Sequence, residues 1–496
     1  MKPLAIGLLV ESLHADRYAE ELALWIKAEP SLRLALIVAP QAAQKPHPLW
    51  RLIVAVEKLL LRWNVAHRDH YAVRDLGGIA APAAASAVDL IIGLGREVPP
   101  SLAAASQLGA ISVLHGGFWE CYHRRPQTSF VIRRHNAAPG SDELLRKGAF
   151  HTLFFYSLNH ANVCKKSVAH LKQILGKLAA AGQWPAAQPD DAAISHIAPN
   201  PAQCLLYAGK LAVRVARKAL QRVPILNERW GISVIPGKWH EALSCSSAAT
   251  RVPRGRYWAD PFVYRRGGRS YCFVEDIDRR SNRGHITALE VIGTRVIEVG
   301  LALREPFHLS FPFVFEHEGE LYMCPESSAA REVRVYRCVE FPLRWELAEV
   351  LMRDVSAADA LLFEKGGRWW MLANIDEAAT GDHCSELYLF SADSPLSRRW
   401  TPHPQNPLLV DSIGGRNGGL IVDGEKRYRL GQCQGFDRYG ESLRVYEIKE
   451  LSPERYAEEL VSEIKPDFRR GLSGTHHLST DGTTTVVDHA SAAFGF

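Results

Sequence analysis

Ala259-Asp260-Pro261-Phe262-Val263-Tyr264 reads almost residue for residue against Ser310-Phe311-Pro312-Phe313-Val314-Phe315, and that comparison decides the fold of the C-terminal half. Each apolar run is followed by a glycine turn and an aromatic: Gly268-Arg269-Ser270-Tyr271 after the first, Gly319-Glu320-Leu321-Tyr322 after the second. Pro261 and Pro312 stand 51 positions apart, and so do Glu275 and Glu326, so the segments align without a gap. A third copy is Ala358-Asp359-Ala360-Leu361-Leu362-Phe363, then Gly367-Arg368-Trp369-Trp370, ending at Asn374. A fourth is Gly418-Gly419-Leu420-Ile421-Val422, then Arg427-Tyr428, ending near Gln432. The fifth is weaker: Thr475-His476-His477-Leu478, a turn at Asp481-Gly482, then Thr485-Val486-Val487-Asp488. Copies spaced by about 50 residues suit four-stranded propeller blades, each of which buries its faces only against its neighbours, so the ring must close. Residues 230–496 are therefore expected to form an all-β five-bladed β-propeller, with the strand around Gly231–Ile235 completing the last blade.

In such a ring the innermost strands run along the central channel, and their first residues converge on one mouth. Those positions hold Asp260, His308, Asp359, Arg416 with Asn417, and His476 with His477. The ends of the second strands hold Glu275, Glu326, Asn374, Gln432 and Asp488. A burial-driven pattern would place Val or Leu there, whereas convergent donors and acceptors in a concave pocket make a binding site. Turn caps or hydrogen bonds between blades are the competing reading of any one of these residues. His317, His383 and His403 fall outside the repeated positions and are expected on the surface, while Trp258, Trp369 and Trp370 read as core or as platforms for stacking on sugar rings.

Residues 1–177 alternate strand-like and helix-like segments, the pattern of an α/β, Rossmann-type sheet covered on both faces. Leu4–Val10, Leu32–Ala39, Asp89–Gly95, Ala110–His115, Ser129–Arg134 and Phe150–Ser157 are expected strands; Ala15–Ala28 and His47–Trp63 are expected helices. Residues 178–229 read as a linker rich in Ala, Pro, Gln and Asp followed by a helix over 204–223, whose Lys210, Arg214, Arg217, Lys218 and Arg222 interleave with leucines and valines. That helix either packs on its own domain with a solvated basic face or makes peripheral contact with an anionic membrane.

The 496 residues carry 59 basic and 54 acidic side chains, a net charge of +5 that is too mild to argue for a nucleic-acid partner. The nine cysteines are odd in number and form no Cys-x-x-Cys pair, which speaks against a zinc ribbon and for a reducing, cytoplasmic address. Leu4–Val10 is too short, and meets Glu11 too soon, to read as a signal peptide. No apolar stretch reaches transmembrane length.

On Ala259-Asp260-Pro261 and its Asp359 copy, the propeller resembles family 43 glycoside hydrolases. The resemblance implies Asp260 as base and Asp359 as the carboxylate that tunes the acid. That family's acid, a fourth-blade glutamate in Glu-Gly-Pro, is missing, because the blade here begins Arg416-Asn417-Gly418. Its fifth-blade histidine, often near a metal or water, has a counterpart in His476 or His477; no metal is expected from the residues themselves. Residues 230–490 more closely resemble the N-terminal domain of the glucosamine inositolphosphorylceramide transferase family, through Trp258-Ala259-Asp260-Pro261, His308-Leu309-Ser310-Phe311-Pro312, Pro325-Glu326-Ser327-Ser328 and Gly474-Thr475-His476-His477. Plant members carry a separate glycosyltransferase domain after it, which this sequence does not show, so the resemblance does not carry that activity over. Asp89-Leu90-Ile91-Ile92 and Gly109-Ala110-Ile111-Ser112-Val113-Leu114-His115-Gly116 resemble the formyltransferase fold. Val113 stands where that fold has the Asn of Asn-x-His, and His115 alone cannot both position a formyl donor and stabilise an oxyanion. A degenerate or repurposed domain is the expectation.

Four functions remain open at this stage. The first is an enzyme that transfers or modifies a sugar in envelope glycan or glycolipid assembly, with Asp260, Asp359 and Glu326 catalytic and the other funnel residues binding substrate. A nucleotide-sugar donor fits it, because a phosphate leaving group needs little protonation. The second is a glycoside hydrolase in which Glu275 or Glu326 replaces the missing acid. The third is a glycan-binding propeller without catalysis. The fourth is formyl or acyl transfer to an amino sugar by the front domain.

Overall fold

Continuous apolar runs become strands buried on both faces in the front third of the chain. The computed structural model describes residues 3–39, 47–136, 142–189, 194, 197–221, 229–242 and 248–491. Backbone contacts divide the chain into two compact units, Met1–Val215 and Ala216–Phe496.

The first unit is a six-stranded mixed sheet in the order Leu32–Val38, Leu4–Val10, Leu90–Leu94, Ala110–His115, Gln127–His135, Glu143–His151. Its first four strands are parallel and the last two antiparallel. Helix Arg17–Ala28 buries Ala19, Leu22, Ala23 and Ile26, one stripe at helical spacing. Helix Pro48–Leu60 starts where His47 Nδ1 accepts the Leu49 amide, with proline at the first position, where no amide is needed. The sequence expectation of a strand over Phe150–Ser157 is overturned. Only Phe150 and His151 are extended, and helix Tyr156–Ala181 begins within the span. The aromatic run Phe154-Phe155-Tyr156 imitates a strand, but the Leu153 amide bonds to Asn159 Oδ1 and turns the chain into the helix. Helix Pro201–Gln221 buries Cys204, Tyr207 and Leu211; Arg222 and Val223 lie outside the described residues.

The second unit is the five-bladed propeller. Four blades are antiparallel sheets in simple chain order, beginning at Arg256, Ser310, Ala357 and Ile413. The fifth is built from both ends of the unit: Arg229–Pro236 pairs antiparallel along the whole of Thr484–Ser491, beside Leu472–Gly474 and Leu478–Thr480. The expected role of the Gly231–Ile235 segment is thus met, and the closure replaces two open sheet edges with eight paired positions.

Equivalent pairs recur at the inner end of each blade: Ala259 with Glu275, Ser310 with Glu326, Ala358 with Asn374, Arg416 with Gln432. Beyond each pair the inner strand leaves the ladder in a bulge. In three blades the next residue is left-handed: Asp260 (φ 46°), Phe311 (φ 46°) and Asp359 (φ 51°). A non-glycine residue in that region is strained by about 1 kcal/mol or more, and packing between blades holds it there. In blade four the same stretch is Gly418-Gly419, where a Cβ on Gly418 would fall 2.5 Å from the His476 carbonyl.

Candidate functional site

The bulges turn side chains that would otherwise alternate across a strand toward the axis. A cavity of about 310 Å³ opens there, lined by Trp230, Tyr257, Ala259, Asp260, Glu275, Ile277, His308, Ser310, Glu326, Arg416, Tyr439 and His476. Six residues singled out from sequence, Asp260, Glu275, His308, Glu326, Arg416 and His476, meet on its wall.

Asp260 is 6% exposed, and its Oδ2 accepts the Phe311 amide at 3.3 Å. Its Oδ1 has no hydrogen-bond partner and lies 3.7 Å from His476 Nε2. Burial pushes this carboxyl well above the usual carboxylate range, against the pull of His476. His476 Nδ1 is in direct contact with Asp488 Oδ2, while Asp488 Oδ1 accepts the amides of His476 and His477 at 2.9 Å each. Burial alone would keep the His476 ring neutral; Asp488, with Asp260, overrides it and pushes the imidazolium up to about 9. Asp488 is held low by the same pairing, which outweighs its own burial. Ligand atoms of Asp260, His476 and Asp488 all lie within 4.8 Å of one another, a set able to hold a cation. The His476 imidazolium already supplies positive charge between the two carboxylates.

Arg416 anchors the opposite wall. Its Nε donates to Asp359 Oδ2 at 2.6 Å and its Nη2 to Glu326 Oε2 at 3.3 Å. Burial pushes Glu326 up, but Arg416, with His383 and the Ser328 hydroxyl, outweighs it and holds the carboxyl low. For Asp359, 1% exposed, burial wins over Arg416 and raises the carboxyl to about 7. The guanidinium thus lies between one carboxyl held low, Glu326, and one raised by burial, Asp359. Glu275 Oε1 lies 2.9 Å from His308 Nε2, and the His308 Nδ1 accepts the Gly284 amide. Burial disfavours the His308 cation, yet Glu275 raises it.

The remaining sequence candidates lie behind this wall. Asn374 donates to the carbonyls of Glu386 and Gly415 and accepts the Asn417 amide at 2.8 Å. Asn417 donates to the carbonyls of Asp359 and Leu372, and Gln432 to the Asn417 carbonyl at 2.7 Å and Asp359 Oδ2 at 3.4 Å. These amides tie blade three to blade four and hold Asp359 in place. His477 is fully buried against Phe262 and Phe311, and burial lowers its imidazole to about 3. His115 belongs to the first unit, at the end of strand Ala110–His115, with Nε2 3.3 Å from Cys164 Sγ.

Two surface expectations fail. His383 is buried with Nε2 2.9 Å from Ser356 Oγ, and His403 is buried with Nε2 3.1 Å from the Ser452 carbonyl. Trp258, Trp369 and Trp370 are core residues. The aromatic faces at the cavity are instead Trp230, whose ring centre lies 4.2 Å from that of His476 at a tilt of 39°, and Tyr439, whose ring lies 5.1 Å from His476 and 5.3 Å from the Arg416 guanidinium. Neither belongs to an inner strand, so the repeat gives no signal for them.

The protein named Glucosamine inositolphosphorylceramide transferase 1 from Arabidopsis thaliana is 36% identical over 231 residues, covering 45% of this chain and 30% of the relative. The protein of that name from Oryza sativa subsp. japonica is 36% identical over 262 residues, covering 50% and 35%. The chain thus spans about a third of the length of these curated relatives. Among solved structures, an alpha-L-arabinanase of Cellvibrio cellulosa complexed with arabinohexaose is 17% identical, covering 48% of this chain and 89% of that one, with a TM-score of 0.35. A family 117 glycoside hydrolase, Zg3597 from Zobellia galactanivorans, is 14% identical with coverages of 48% and 76% and a TM-score of 0.33. The segment that builds most of the ring, residues 237–476, matches the family model described as Glucosamine inositolphosphorylceramide transferase 1, N-terminal.

Proposed function

We propose that the propeller cavity transfers a sugar from a phosphate-activated donor, of the nucleotide-sugar class, to a hydroxyl of a glycolipid acceptor in envelope glycan assembly. The observation that carries this reading is Arg416. A glycoside hydrolase needs a carboxylic acid to protonate a poor leaving group, and the fourth blade offers a fixed cation instead. A cation serves a leaving group that departs already as an anion. In this mechanism Asp260, desolvated and therefore a better base, takes the proton of the acceptor hydroxyl as the acceptor oxygen bonds to the anomeric carbon. The anomeric carbon–oxygen bond to phosphate breaks, and the phosphate leaves toward Arg416 and the His476 imidazolium. Trp230, Tyr257 and Tyr439 offer ring faces to the sugar. The cavity volume is at the lower end of the range for ligand sites, roughly 300–1,000 Å³, which suits one sugar unit.

The lipid side of the proposal has support in the first unit. Helix Pro48–Leu60 and the turn after it expose Leu52, Leu59, Leu60 and Trp63 (81% exposed), flanked by Arg51 and Arg62. Helix Pro201–Gln221, joined to it through the Tyr207–Glu57 hydrogen bond, exposes Leu205, Leu206 and Val213. Apolar residues rimmed by basic ones suit the surface of an anionic bilayer, and no described helix is long and apolar enough to cross one.

The hydrolase reading has less support: Glu326 is held as a carboxylate, and Glu275 is committed to His308. The test is a panel of nucleotide sugars followed by thermal shift, then sugar transfer to lipid acceptors in anionic vesicles. One donor should stabilise the protein, and Asp260→Asn should keep that stabilisation while losing transfer. Release of sugar from aryl glycosides, abolished by Asp260→Asn, would replace this reading with hydrolysis. Oligosaccharide binding unaffected by that substitution, with no turnover, would replace it with a lectin.

A further inference from the structure

The first unit contains a cluster that sugar transfer by the propeller does not use. His160 and Cys164 stand one turn apart on helix Tyr156–Ala181, so they share a face. His70 closes the short helix Val65–His70. One nitrogen of each imidazole and the Cys164 sulfur all lie within 4.8 Å of one another. The His115 Nε2 approaches the same sulfur to 3.3 Å, and the His160 ring nitrogens lie 3.7 and 3.8 Å from it. We infer that His70, His115, His160 and Cys164 bind one divalent transition-metal ion of the zinc class.

Geometry, second contacts and position argue for it together. A tetrahedral zinc ion with sulfur at about 2.3 Å and nitrogen at about 2.05 Å separates its ligand atoms by roughly 3.3–3.6 Å. The His115 and His160 nitrogens stand at nearly that spacing from the Cys164 sulfur, and His70 has a nitrogen within 4.8 Å of His160 and Cys164. The outer nitrogens of His115 and His160 have orienting partners of the kind metal-bound histidines use. His115 Nδ1 lies 3.1 Å from the Gly116 carbonyl, to which it donates, and this leaves the Nε2 lone pair facing Cys164. Tyr71 Oη gives its proton to the Ser157 carbonyl at 2.8 Å and so accepts from His160 Nδ1 at 3.3 Å. His70 is 7% exposed, and its Nε2 has no hydrogen-bond partner. A buried nitrogen without a partner is costly in a dry site and is satisfied by a cation.

The position favours a working site rather than a staple. Strand Leu4–Val10 leads to a neighbour on one side, Leu32–Val38, and strand Leu90–Leu94 to a neighbour on the other, Ala110–His115. The crevice beyond such a reversal is where open α/β sheets bind ligands. Here it is a cavity of about 360 Å³ that includes Glu11, Asp16, Tyr18, Gly95 and Arg96. Gly95 separates it from the cluster by the thickness of one backbone: a Cβ there would reach Tyr18 Oη at 3.3 Å and His115 Nε2 at 3.7 Å. A small anionic or carbonyl ligand held by Arg96 would therefore sit next to the ion.

The experiment is metal analysis of the full chain, untagged, from zinc-supplemented growth, with cobalt substitution as the spectroscopic probe. About one equivalent of metal per chain is expected, with the tetrahedral visible absorption of cobalt and a thiolate-to-cobalt charge-transfer band. Cys164→Ser should lose the charge-transfer band, and His70→Gln should weaken binding by tenfold or more. Circular dichroism checks that each variant is folded; should Cys164→Ser not fold, the thiolate band of the wild-type chain decides alone. Wild-type protein that takes up neither zinc nor cobalt, or a band that survives in folded Cys164→Ser, would overturn the assignment and leave a sulfhydryl-to-imidazole hydrogen bond in its place.

Discussion

Replacing Arg416 by glutamine should cost more stability at alkaline pH than at acid pH, by an amount the cavity wall sets. The guanidinium is 14% exposed and lies against Asp359 and Glu326, whose side chains are 1% and 12% exposed. Removing one partner from a buried ion pair leaves charge uncompensated and costs about 3–5 kcal/mol. The loss has a pH signature. Glu326 is held low chiefly because Arg416 offsets burial, and Asp359 is already raised to about 7. Without the guanidinium, burial raises Glu326 as well, while in the unfolded chain it titrates near its usual value of 4.5. Between that value and its raised one, the folded variant binds a proton that the unfolded chain does not. Its deficit relative to wild type should then shrink by about 1.4 kcal/mol for each pH unit of acidification. Urea unfolding followed by tryptophan fluorescence at pH 8 and pH 5 measures both values. A deficit that is equal at the two pH values, or below about 1 kcal/mol at pH 8, would refute the account of this wall as a charge balance around one arginine.

Further outcomes follow from the same structure. The His476 pair with Asp488 raises the imidazolium from 6.5 to about 9, so its stabilisation is complete below pH 6.5 and lost as pH rises through 9. The shift corresponds to about 3 kcal/mol, and calorimetry should show Tm falling between pH 7 and pH 9.5 in wild type but much less in His476→Gln. A chain cut to residues 237–476 lacks both strands of the closing pair, Arg229–Pro236 and Thr484–Ser491, and should give no cooperative thermal transition, whereas 229–491 should. Trp230→Ala removes a ring packed against His476 and should weaken sugar binding several-fold, by about 1 kcal/mol in titration calorimetry, with little change in Tm. Flotation with anionic vesicles should fall at least tenfold for Leu52→Ser with Trp63→Ser and should fall with added salt.

The propeller was legible because a blade repeats both its period and its chemistry. Apolar inner strands, glycine turns and aromatic second strands recur at fixed spacing, so local composition alone reports the number of sheets. Half of the cavity wall was legible for the same reason: Asp260, Glu275, His308, Glu326, Arg416 and His476 stand at repeated positions where burial would otherwise demand valine or leucine. Asn374, Asn417 and Gln432 stand at those positions too, and nothing local distinguishes them. Only the packing of blade three on blade four shows that their amides are spent on backbone carbonyls. From sequence His383 is expected on the surface because it lies outside the repeated positions, yet the chain folds it under against Ser356.

The sequence by itself determined the count of blades, the alternation of the front sheet and the absence of an acid at the head of the fourth blade. These depend on hydrophobic period and residue type, which are properties of the chain read in order. The tertiary structure alone decided which carboxylates are dry, that Asp260 and Asp359 are held left-handed at their bulges, and that Trp230, from the far end of the unit, faces His476. Burial and contact between distant segments set those features, and neither quantity is stored in any short stretch of sequence.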